Sequence, residues 1–139
     1  MVASTESLPR QQRQAGYTSL WSALNHPVVA HPPHIHKTEE EYFYATQGEF
    51  TFYIDGKVTK AKTGEAAFVP RGTIHCFKNC TNEGARVLVF FTPGNIEGYF
   101  DFGLPLDDGS IPSDDRIIER INTIGPKFNV EQIEGLSPF

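Results

Sequence analysis

From Pro33 to Thr92 the chain keeps returning to short strand-forming runs broken by turn residues, and this pattern restricts the fold more than any other feature. EYFYAT (41–46) is rich in aromatic and β-favouring residues and stops at Gln47-Gly48. EFTFYI (49–54) alternates Phe50, Phe52 and Ile54 against Thr51 and Tyr53, the period of a half-buried strand. Asp55-Gly56 supplies a two-residue hairpin turn with positive φ, and KVTKA returns. AAFVP (66–70), TIHCFKN (73–79) and ARVLVFF (85–91) follow, separated by Gly72 and a polar turn at Thr81–Gly84. The last run is apolar on both faces, which predicts a central strand covered on both sides. Short strands at regular spacing with Gly and Asp turns indicate an all-β sandwich or barrel.

After Pro93 the period changes. Ile96, Tyr99 and Phe100 follow Asn95 at helical spacing and predict a short helix. A second helix is capped by Ser113, carries Asp114 and Asp115 in its first turn where the helix dipole favours anions, and lines up Ile117, Ile121 and Ile124 as one apolar stripe. Gly125-Pro126 ends it.

A chain of 139 residues is the size of one domain and buries roughly 70% of the surface it exposes when unfolded, so its core needs no disulfide or metal. The net charge of -5 argues against a nucleic-acid surface, which wants clustered Lys and Arg. No apolar run approaches the ~20 residues of a membrane span. The opening MVASTESLPRQQRQAG is polar and lacks the apolar centre of a signal peptide, so a soluble, cytoplasmic protein is expected. Along one strand Cys76 and Cys80 would sit about 13 Å apart, beyond the ~7 Å reach of a disulfide. Two free thiols in a reducing compartment are the expectation.

The chemistry concentrates in HIHKTEEE, residues 34–41. On a strand, residues two apart share a face, so His34 and His36 project together with Cα atoms roughly 6.6 Å apart, close enough to converge on one cation. Glu41 lies five residues beyond His36, an odd offset; the intervening stretch must bend or bulge for Glu41 to reach the same point. His75, on a later strand after the Pro70/Gly72 corner, is the fourth candidate. Three neutral imidazoles and a carboxylate suit Fe, Mn, Co, Ni, Cu or Zn better than Mg or Ca. Glu39 and Glu40 are expected as a solvated acidic edge, and His26 and His31 as loop or substrate-side positions outside the ligand set.

Taken together, His34-x-His36-x4-Glu41-x6-Gly48 and Gly64-x5-Pro70-x-Gly72-x2-His75-x3-Asn79 resemble the two signature motifs of the cupin superfamily. The second motif matches at every defining position; in the first, Val28 stands where the family has its opening glycine. PPHIH, TPGNIEGYF and the helical tail are more loosely similar to single-domain cupins of the quercetin-dioxygenase-like group. The resemblance implies a small antiparallel β-barrel (jelly roll) with short C-terminal helices, holding one divalent transition metal, iron first, on His34, His36, Glu41 and His75. It divides the chain into a flexible arm (1–16), a barrel domain (17–112) and a C-terminal helical tail (113–139) packed on the barrel.

The activity implied is dioxygenase-type chemistry on a small aromatic, polyphenolic or enolic molecule. Non-oxidative Lewis-acid chemistry on a similar substrate and a non-catalytic binding barrel are the alternatives. Glu41 is placed as either ligand or catalytic base. Phe43 and Phe77 share parity with Glu41 and His75 and are expected to line the pocket, with Phe52 and Phe90 as further wall candidates. Phe100, Phe102 and the loop to Pro112 can close the barrel mouth or meet a partner. The resemblance, together with outward aromatics such as Tyr42 and Tyr44, implies a homodimer.

Overall fold

The computed structural model describes residues 19–25, as backbone, and 32–139. The expected arm over 1–16, and His26 and His31, lie outside the described residues. Among the described residues, nine strands form two antiparallel sheets: β1 (Ser19–Asn25), β2 (His34–His36), β3 (Glu40–Gln47), β4 (Glu49–Ile54), β5 (Lys57–Lys62), β6 (Ala66–Val69), β7 (His75–Lys78), β8 (Ala85–Thr92) and β9 (Val130–Gln132). One sheet runs β1-β8-β3-β6 and the other β5-β4-β7-β2-β9. Consecutive strands therefore alternate between sheets at several points, and this interleaving brings distant motifs to one interior.

Local chemistry accounts for the turns. Asp55 and Gly56 both adopt positive φ (48° and 81°), the backbone of the two-residue hairpin turn that joins β4 to β5. Gly48 has φ +75°, and a Cβ there would lie 2.8 Å from Cβ of Ala85. Both the conformation and the close approach require glycine at this crossing.

The core lies between the sheets. Phe43 and Ala45 from β3 and Val87, Val89 and Phe91 from β8 face Phe50 and Phe52 from β4 and Phe77 from β7, all buried. Phe43, Phe52 and Phe77 meet with ring centroids 5.1–5.9 Å apart in tilted or edge-on geometry, the arrangement that aromatic quadrupoles favour.

β8 is internal to its sheet, as expected, but its two faces are not equally covered. Val87, Val89 and Phe91 are buried, whereas Leu88 and Phe90 are half-buried and Arg86 is exposed. Phe90 lies opposite Tyr42 on the face turned away from the core. The short helix expected after Asn95 is a 3₁₀ helix, Glu97–Gly103.

Helix α1 (Asp114–Ile124) follows its caps: Ser113 Oγ accepts the backbone N–H of Arg116 at 3.3 Å, and Ile121 is buried with Ile117 and Ile124 packed against the core. A 3₁₀ turn, Gly125–Phe128, then leads into β9, which pairs with β2. The segment expected to be a purely helical tail thus adds a strand beside the histidines.

Cys76 and Cys80 are both free, the first buried and the second exposed. Burial pushes the Cys76 thiol up to about 11, so little thiolate forms there near neutral pH. Alkylation of the folded protein at mildly alkaline pH is expected to label Cys80 rapidly and Cys76 only on unfolding. Equal labelling rates, resolved by peptide mass spectrometry, would contradict this packing.

Candidate metal centre

Each member of the cluster is placed by a different piece of the backbone. His34 and His36 are the two ends of β2 and both turn inward, while Ile35 between them is half-buried on the other face. β7 runs antiparallel to β2 with His75 directly opposite His34. These three histidines belong to the five-stranded sheet.

Glu41 belongs to the other sheet, on β3 between Val69 of β6 and Phe91 of β8. The chain makes this passage through bends at Lys37 and Thr38. The break in strand parity that Glu41 requires is therefore the crossover from one sheet to the other. Backbone bonds pin the corner: Lys37 N–H donates to Asn129 O at 3.0 Å, and Gly72 N–H donates to His36 O at 2.8 Å.

His34, His36, Glu41 and His75 are all buried, and each offers a ligand atom within 4.8 Å of the others. The imidazole centroids stand 4.2–5.6 Å apart. Nδ1 of His34 lies 2.8 Å from Pro32 O and Nδ1 of His75 lies 3.0 Å from Thr73 O. A carbonyl only accepts, so both Nδ1 atoms carry the proton and both Nε2 lone pairs are left for a cation. The donor set and its tautomers fit a first-row transition metal.

Without an ion, Glu41 Oε2 contacts Nε2 of His75 and lies 3.6 Å from Nε2 of His36. Burial pulls the pKa of His75 down, but the charge of Glu41 and the hydrogen bond to it prevail, and the net effect is upward. A raised histidine pKa stabilises the metal-free fold fully below the unfolded value of about 6.5, and that contribution is lost as pH rises through the folded value. Metal binding needs neutral imidazole and runs the other way. Thermal melts with and without metal are expected to show a larger metal-induced rise in Tm at about pH 8 than at about pH 6; a gain independent of pH would contradict the assignment.

A cavity of about 10 Å³ adjoins the cluster, lined by Phe43, Phe77, Val89, Phe91, Tyr99 and Phe100 beside His34, His36 and Glu41. That is space for about one water-sized group. Phe43, Phe77 and Phe100 line this cavity. Phe52 packs behind Phe43 and Phe77 as core, and Phe102 packs behind Tyr99 at a centroid distance of 5.4 Å.

Phe90 is not in the wall, because inward parity on β8 belongs to Val89 and Phe91. Arg86, the one charged residue of the run, shares parity with Leu88 and Phe90 and marks that face as the outward one. Tyr99, whose hydroxyl accepts a long 3.5 Å bond from Gln132 Nε2, is a wall residue that sequence reasoning read only as helical spacing. Glu39 departs most from expectation: it is buried, with 8% of its surface exposed, whereas Glu40 is half-buried and pairs with Arg71 at 3.5 Å.

Comparison with known proteins agrees with this geometry. Residues 26–91 match the family described as Cupin domain. Over 61 residues the chain is 34% identical to an uncharacterized protein of Aquifex aeolicus, covering 44% of this chain and 50% of that one. Over 101 residues it is 26% identical to quercetin 2,3-dioxygenase of Bacillus subtilis, covering 68% of this chain and 30% of the other. The chain thus spans half or less of these curated relatives. Among solved structures, an uncharacterized conserved protein with a double-stranded β-helix domain from Klebsiella pneumoniae superposes with a TM-score of 0.54 at 23% identity, over 58% of this chain and 71% of that one.

Proposed function

Because residues 26–91 are a cupin domain whose two sheets close on a buried three-histidine, one-glutamate cluster, we propose that the chain is a metal-dependent enzyme acting on a small oxygenated organic molecule, with dioxygen-dependent chemistry as the first reading. The single observation that carries the proposal is the cluster itself: four ligand residues from both sheets, buried together in a barrel large enough to fold without a metal. The similarity to quercetin 2,3-dioxygenase, over 68% of this chain, supports the oxidative branch. A divalent transition metal bound here, iron first among the candidates, supplies a Lewis acid for an enol or carbonyl oxygen, or a redox centre for dioxygen.

The chain's own residues supply the rest. Glu41 is suited to take a proton from an enol or phenol, since its buried carboxylate lies where the three imidazoles converge. Phe43, Phe77, Phe91 and Phe100 present an apolar aromatic wall of tilted rings suited to orient an unsaturated substrate and exclude water.

The cavity of about 10 Å³ favours a second reading beside the first, non-oxidative Lewis-acid chemistry on a substrate much smaller than a polyphenol. A polyphenol exceeds that volume. The proposal also includes a reducing, cytoplasmic location, consistent with two free cysteines. It includes a homodimer joined across the exposed face where Tyr42 stacks on Phe68 at 4.6 Å. Among the described residues, no helix is long and apolar enough to cross a membrane.

The test is oxygen uptake by metal-reconstituted protein offered flavonols and smaller enolic acids, with product analysis. Oxygen consumption matched to substrate loss is the expected result. Substrate turnover without oxygen uptake would transfer the proposal to the Lewis-acid reading, and no turnover by metal-loaded protein across the panel would contradict the enzymatic one.

A further inference from the structure

The three histidines share one design with one exception. His34 and His75 each direct Nδ1 at the backbone carbonyl two residues earlier. Nδ1 of His36 instead faces a side chain, with Glu39 Oε2 at 3.6 Å, while Nε2 of the same ring points toward Glu41 at 3.6 Å. Glu39 is buried, and its other oxygen accepts from the hydroxyl of Thr38 at 2.6 Å. Oε2 of Glu39 and Nδ1 of His36 are both shielded from solvent and make no hydrogen bond to a third group.

Burying a carboxylate is costly unless a donor meets it. The nearest donor available to Oε2 is the His36 ring. At 3.6 Å the pair stands about 0.4 Å beyond hydrogen-bond range, a gap that a small shift of either side chain closes.

We propose that Glu39 is a positioning residue: its carboxylate holds the proton of His36 on Nδ1, so that Nε2 turns its lone pair into the cluster. The inference rests on the metal reading of the site given above. It assigns to Glu39 the role that the Pro32 and Thr73 carbonyls serve for His34 and His75, so that all three rings reach the centre in the same tautomer. Carboxylate partners of this kind orient metal-binding histidines and raise their basicity. It also separates the three consecutive acids: Glu39 orients a ligand, Glu40 pairs with Arg71, and Glu41 is in the cluster.

Two measurements on the full chain test this, with E39A and E39Q beside the wild type. The first is the tautomer of His36 in metal-free protein, read from ¹⁵N shifts and two-bond couplings at alkaline pH. Wild type and E39Q, whose amide oxygen still accepts, are expected to hold the proton on Nδ1, and E39A is expected to release it toward Nε2. The second is zinc affinity by chelator competition. E39A is expected to bind about 10–100-fold more weakly than wild type, with E39Q restoring most of the loss.

A wild-type His36 protonated on Nε2, an E39A protein with unchanged zinc affinity, or an E39Q protein as weak as E39A would each overturn the assignment. Metal-free melting curves identify any variant that fails to fold, and the wild-type tautomer then still decides. A wild type that binds no zinc, or any other first-row metal, would overturn the metal reading itself, a failure that the tautomer readout keeps distinct.

Discussion

Replacing His75 by alanine is expected to strip the protein of metal while leaving the barrel folded. His75 reaches the cluster from β7, opposite His34, with its Nδ1 proton already engaged by Thr73 O. Among the described residues the cluster holds no further His, Cys, Asp or Glu ligand, and β7 continues into Cys76 and Phe77, which is part of the aromatic core. A partner behind a ligand is worth about 10–100-fold in affinity, so loss of the ligand itself should cost at least about 100-fold.

The fold has separate support. The rings of Phe43, Phe50 and Phe52 and the Val87–Phe91 face of β8 are buried without involving the imidazole. Metal content after dialysis, beside a circular dichroism spectrum, is the readout. A folded His75→Ala protein that retains full metal occupancy would remove His75 from the site.

The second large effect is on stability. Phe52→Ala removes a side chain 1% exposed that packs edge-on against Phe43 at 5.1 Å and lies 5.9 Å from Phe77 and 6.3 Å from Phe50. β4 is hydrogen-bonded on both sides, to β5 and β7, so the backbone cannot collapse into the void. Truncations of this kind cost about 3–5 kcal/mol, a large part of the ~5–15 kcal/mol that holds a domain together. Urea unfolding of metal-free protein is expected to show that loss with little change in m-value. A loss under about 1 kcal/mol would mean that the Phe43–Phe52–Phe77 cluster is not the tightly packed centre of the barrel.

Much of this was legible in the sequence wherever one residue type carries one physical constraint. EFTFYI is β4 to the residue, because its alternation is clean and Asp-Gly follows. Ser113, the two aspartates and the isoleucine stripe mark α1 for the same reason. Parity puts His34 and His36 on one face, the odd offset of Glu41 calls for a bend, and the full set with His75 is what the resemblance to the cupin motifs implies; the structure gathers all four.

What escaped is equally specific. SLWSALN pairs as β1 with Ala85–Phe91 of β8, yet its Ser, Ala and Asn carry little strand preference. β9 is three residues long, too short for any period to register, and it exists because β2 offers it an edge. The run VLVFF after Arg86 is apolar on both faces, so only the charge of Arg86, on the face of Leu88 and Phe90, marks Phe91 rather than Phe90 as inward. The burial of Glu39 was hidden because three identical acids in sequence differ only once the chain turns from one sheet to the other between His36 and Glu41.

The most direct test of the account is the metal content of the wild-type chain after reconstitution with Fe, Mn, Co, Ni, Cu or Zn and removal of excess. About one tightly held ion per chain is expected for at least one of these metals, as a single four-residue donor set provides. A folded protein that retains none of them would contradict it.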